Sequence, residues 1–167
     1  MNKKQRNLSI GLFIVYFLAL IWIIIFKFQF SFDNLDHIRN INLIPFSGSV
    51  IVNGKLDLSE IVDNVLVFVP YGIFVCMLKS QSSFMEKIIP IFITSLIFEI
   101  LQFIFAIGAS DITDLIGNTL GGIIGIGIFY IMSKFFKEKT YKIVNIISLI
   151  AAIMLILLVS VLIIANP

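Results

Sequence analysis

The chain has 167 residues, 59% of them hydrophobic and 13% charged, with a mean hydropathy of +1.09 and a net charge of +2. So apolar a chain is an integral membrane protein, and so small a charge gives no footprint for nucleic acid. The single cysteine, Cys76, excludes an intrachain disulfide and a thiolate metal centre, and it reads as inert packing.

Apolar runs of about 18–20 residues predict an all-α fold, a polytopic bundle forming a single membrane domain over residues 1–167. Its five transmembrane helices fall near 8–26, 61–78, 88–107, 113–132 and 143–165. At about 1.5 Å per residue, each can cross a hydrocarbon core of about 30 Å. The first follows Lys3, Lys4 and Arg6, lacks a small-residue cleavage site, and reads as a retained signal anchor. Its polar-capable side chains include Tyr16 and Trp22.

Residues 27–60 make the long connection. Arg39 and Asn42 are its candidate site residues, because so many acids nearby call for a basic partner. Pro45 and Phe46 shape a turn or a shallow dip into the interface, while His37 reads as surface. Asn53-Gly54, within residues 50–56, marks a short hairpin.

The second span opens on Glu60, Asp63 and Asn64, with Tyr71 near the same face, and Pro70 should kink its middle. The third starts from a Pro90 first turn and places Ser95, Glu99 and Gln102 on one face. The fourth aligns Asp111, Asp114 and Asn118, and its Gly117, Gly121 and Gly125 permit close helix approach. That glycine stripe suits packing against the second or third span, with homodimerisation as the alternative. The fifth span carries Asn145, Ser148 and Ser160 and otherwise reads as lipid-facing. Spans two to four therefore form the core, flanked by one and five.

With five spans, nine of the twelve basic residues fall on one side. The positive-inside rule then places the N-terminus in the cytoplasm and the C-terminus outside. The three polar stripes meet near the outer surface. An ionisable group at membrane depth costs about 2.5–3.5 kcal/mol on insertion scales, so such groups face a protein interior and mark function.

Four blocks carry a resemblance. They are Arg39-Asn40-Ile41-Asn42-Leu43-Ile44-Pro45-Phe46, Asp63-Asn64 through Pro70-Tyr71-Gly72, Glu99-Ile100-Leu101-Gln102, and Asp111-Ile112-Thr113-Asp114 through Asn118 to Gly121-Gly122. In this order over about residues 36–130, they resemble the VanZ-like family. The resemblance implies a bacterial cell-membrane protein related to one that lowers susceptibility to the lipoglycopeptide teicoplanin. Some members place an arginine after the glycine that precedes the acidic block; here Ala109 follows Gly108, which leaves Arg39 to supply the positive charge.

The candidate site is thus Arg39, Asn42, Asp63, Asn64, Glu99, Gln102, Asp111, Asp114 and Asn118. One reading is an outward-facing cleft that binds a lipid, a lipid-linked envelope precursor or a lipoglycopeptide. A second is a membrane enzyme, with Mg²⁺ or Ca²⁺ held among Asp63, Glu99, Asp111 and Asp114. A third is an ion-coupled transporter titrating at Glu99, which ranks last because the inner halves of spans two to four hold no ionisable residue. The acids could equally fix helix register. No nucleophile, zinc or phosphate-loop motif occurs, so no catalytic residue is assigned.

Overall fold

The computed structural model describes residues 2–26, 38–46, 51–52, 55–56 and 58–165. The described helices are α1 (Lys3–Ile24), α2 (Ser59–Leu78), α3 (Phe84–Phe105), α4 (Ile112–Phe136) and α5 (Lys139–Ala165). All five are long and apolar enough to cross a membrane. The strands are β1 (Ile38–Asn42), β2 (Ile51–Val52), β3 (Lys55–Leu56) and β4 (Ile107–Asp111).

Several helices begin before their apolar windows because capping residues, not hydropathy, start them. Asn2 accepts from Gln5 N at 2.9 Å and closes a capping box, so α1 starts at Lys3. Ser83 and Glu86 form a second box. That box moves the start of α3 to Phe84 and corrects the expectation for Pro90, which lies in the second turn instead of the first.

The tightest packing is α2 against α4, and glycine makes it so. A Cβ on Gly121 would overlap the Val65 carbonyl, one on Gly125 the Val69 carbonyl, and one on Gly72 the Gly122 carbonyl. With little hydrophobic drive between helices in lipid, such close backbone approach is a main source of association. Gly117 also faces α2, near Asn64 and Ile61. The predicted stripe is therefore covered within the chain. Gly122 points elsewhere, toward the Ile91 side chain of α3.

Around this seam the other helices add aromatic contacts. Phe13 of α1 meets Tyr71 edge-on at 5.5 Å, and Phe17 stacks on Phe98 of α3 at 6.3 Å. In the turn that Pro70 disturbs, the Tyr16 hydroxyl donates to the Val67 carbonyl at 2.6 Å. Helix α5 is mostly exposed, as expected of a lipid-facing span, yet its start is tied down. Asn145 is buried, accepts from the Ser9 hydroxyl at 2.9 Å and donates to the Gln5 carbonyl at 3.3 Å. At the same end of the bundle Lys87 is buried, and its ammonium donates to the Tyr130 hydroxyl at 2.8 Å.

Two short strand pairs join the helices, a feature the apolar pattern did not show. β2 and β3 form the predicted hairpin, pairing Ile51 with Leu56 and Val52 with Lys55; its Asn53-Gly54 turn lies outside the described residues, as does His37. β1 and β4 pair in parallel, from Ile38 against Ile107 to Asn42 against Asp111. Parallel strands need a long crossover, and here it contains α2 and α3.

Candidate functional site

Four helix ends meet at one end of the bundle around a cavity of about 210 Å³. Helix α1 contributes Ile23 and Ile24, and α2 contributes Glu60 and Asn64 from its first turns. Helix α3 contributes Glu99 and Gln102, one turn apart, and α4 contributes Asp114 and Asn118. The i, i+3 and i, i+4 spacings place each pair on one helix face.

The deepest polar groups are amides whose donors are committed. Gln102 is 6% exposed, and its Nε2 donates to the Ile24 carbonyl at 3.2 Å. Asn118 is 1% exposed, and its Nδ2 donates to the Ser95 hydroxyl at 2.9 Å. Their carbonyl oxygens, Gln102 Oε1 and Asn118 Oδ1, are buried without a hydrogen-bond partner. Buried polar atoms are rarely left unserved, because each forgoes about 1–3 kcal/mol. Two in one cavity ask for a donor.

Glu99 serves both cavity and fold. It is buried, and its Oε2 accepts from the Asp111 main-chain N–H at 2.9 Å. The Ser110 hydroxyl lies 3.2 Å from that oxygen and 2.9 Å from the Glu99 carbonyl, so one proton is shared between two acceptors. Glu99 thereby latches the end of β4 onto α3.

Asp111 belongs to a clasp beside the cavity. It is the N-cap of α4, and its Oδ1 accepts from Thr113 N at 2.7 Å. Its Oδ2 accepts from Asn42 Nδ2 at 2.9 Å. Asn42 in turn accepts from Ile44 N at 3.2 Å, an Asx-type turn that leads the chain to Phe46. Phe46 has a φ of 64°, uncommon for a side chain of its size, and its N–H donates to Thr113 Oγ1 at 3.0 Å. The first and fourth sequence blocks are thus docked on each other. The predicted turn at Pro45 and Phe46 is present, and Leu43, Ile44 and Phe46 are exposed on it.

The nine candidates therefore divide. Asn64, Glu99, Gln102, Asp114 and Asn118 line the cavity, whereas Asn42 and Asp111 form the clasp. Asp63 is exposed and does not line the cavity, since it sits one residue, about 100° of helix, off the Asn64 face. Arg39 pairs through its backbone with Gly108, and its side chain lies outside the described parts. Glu60 joins the cavity although it was not a candidate; its i, i+4 relation to Asn64 was the available signal. Ile24 was invisible to sequence, because it acts through its carbonyl. Of the four acids named for a metal, Glu99 and Asp114 line the cavity, whereas Asp111 is turned to the clasp and Asp63 is exposed; among the described residues no group of three is placed to hold an ion.

Three comparisons bear on identity. The VanZ/LLP1 family model matches residues 13–133. Protein VanZ of Enterococcus faecium is 36% identical over 155 residues, covering 92% of this chain and 91% of that protein. No solved structure matches the chain. On the family match and this identity, the five-helix membrane protein belongs to the VanZ/LLP1 family.

Proposed function

We propose that this VanZ-family membrane protein binds a lipid or lipoglycopeptide in the polar cavity at the cell surface, and so lowers susceptibility to teicoplanin. The observation that carries the reading is the pair of buried, unserved carbonyl oxygens, Gln102 Oε1 and Asn118 Oδ1, in a cavity also lined by Glu99 and Asp114. A register-fixing polar core would satisfy its own members; this one leaves acceptors for something else. The cavity end faces outward in this reading, because nine of the twelve basic residues lie toward the opposite end.

The test has two parts. Expression in a teicoplanin-susceptible host should raise the inhibitory concentration, and Gln102→Met should cancel the effect while the purified variant melts as the parent does. A Gln102→Met protein with parental stability and full effect removes the cavity from the function. Single cysteines introduced at Lys139 and Glu60 should be labelled from the cytoplasm and from outside, respectively, and the reverse pattern overturns the orientation.

A further inference from the structure

The side-chain groups of the cavity are notable for what they can accept. Gln102 has its amide nitrogen held by the Ile24 carbonyl, an acceptor, so the amide cannot be turned round without losing that bond. Oε1 is therefore its free function, and the side chain is 94% buried by its 6% exposure. Asn118 holds Ser95 with its nitrogen and likewise keeps Oδ1 unserved. Glu60, Glu99 and Asp114 add three carboxylates, which in ionised form only accept. Among the described residues that line the cavity there is no lysine, arginine or histidine.

Resting on the ligand-binding reading above, we propose that the group received here is a primary ammonium. Such a group carries three N–H donors and a positive charge, which matches two amide oxygens and a carboxylate-lined wall. A phosphate in the same place would bring further acceptors to Gln102 Oε1 and Asn118 Oδ1, which need donors. A ligand that also carries phosphate keeps it at the mouth and sends its amine inward. The amine can come from a lipid headgroup such as phosphoethanolamine or from a water-soluble amine, and the chemistry at the cavity is the same. A quaternary ammonium has the charge but no N–H, so it leaves Gln102 Oε1 and Asn118 Oδ1 unserved. The loss of charge-assisted N–H bonds makes that difference about ten-fold or more in affinity.

The experiment uses the full chain in nanodiscs of phosphatidylcholine doped with phosphatidylethanolamine or its mono- and dimethyl forms. Native mass spectrometry reads the lipid retained, and thermal unfolding reads stabilisation. The expected result is retention of the primary amine lipid at least about ten-fold over phosphatidylcholine, falling with each methyl group. Gln102→Met and Asn118→Leu should each lose the preference, so one that fails to fold leaves the other to decide. In lipid-free detergent, stabilisation by glycerophosphoethanolamine but not by glycerophosphocholine assigns a soluble amine. Stabilisation by the intact lipid alone assigns the headgroup. Equal retention of all headgroups overturns the proposal, since water then serves the two oxygens. Stabilisation by Mg²⁺ or Ca²⁺ that a chelator removes, without headgroup preference, also overturns it. A chain that lowers teicoplanin susceptibility yet shows no preference keeps the function and loses the ammonium; preference without a susceptibility effect does the reverse.

Discussion

Glu99 separates the cavity's function from the fold, because its carboxylate contributes to both. In Glu99→Gln a carbonyl oxygen can stay where Oε2 now accepts from Asp111 N at 2.9 Å, so β4 remains latched to α3. What is lost is charge assistance, about 1 kcal/mol per bond, and this is offset by no longer burying a charge. The net change should lie within about 1 kcal/mol. In Glu99→Leu no acceptor remains for the Asp111 N–H. The Ser110 hydroxyl still reaches the main-chain carbonyl of residue 99, 2.9 Å away, so one donor is orphaned, not two. One buried orphan costs about 1–3 kcal/mol, or a Tm fall of about 2–12 °C in a chain of this size. Purified proteins would be melted in parallel with teicoplanin susceptibility assays on the expressing strains. The Gln variant should melt like the parent and lose the susceptibility effect, while the Leu variant should also melt lower. A Gln variant of parental stability and full effect would reduce Glu99 to a latch. A Leu variant as stable as the Gln one would refute the latch itself.

Further outcomes follow from the packing. Gly121→Ala should destabilise by about 1–3 kcal/mol, because the added methyl meets the Val65 backbone, whereas Gly127→Ala, with nothing within 4 Å, should be neutral or gain up to about 1 kcal/mol; equal melting of the two would refute the α2–α4 seam. Asp111→Ala should cost about 0.5–2 kcal/mol through loss of the α4 cap and should loosen β1, read as faster hydrogen exchange at residues 38–42. Tyr16→Phe removes the donor to the Val67 carbonyl beside Pro70 and should lower stability by about 1 kcal/mol; an unchanged melt would show that this bond contributes nothing net.

The five spans were legible because their signal is local. An apolar run of membrane length needs no partner to be recognised, and the faces bearing Ser95, Glu99 and Gln102, or Asp114 and Asn118, follow from helical period alone. Helix starts were less legible, since Asn2 and Ser83 act through local capping hydrogen bonds that hydropathy does not register. Pro90 is ambiguous for the same reason: its position suits a first turn, but Ser83 begins the helix seven residues earlier.

What the chain by itself determined was which residues had to leave the lipid, because burial cost is a property of the side chain and its depth. Where each of them went was decided only in three dimensions. Asp111 and Asp114 are three residues apart and chemically alike, yet one caps a helix and holds Asn42 while the other lines a cavity. The difference arises from the pairing of β1 with β4, whose partners lie 69 residues apart, and from the Ile24 carbonyl, which carries no residue-specific signature. The glycine stripe was visible as a pattern, but its partner was chosen by the carbonyls of Val65 and Val69. Backbone groups are the same in every residue, so contacts made through them become visible only when the chain has folded.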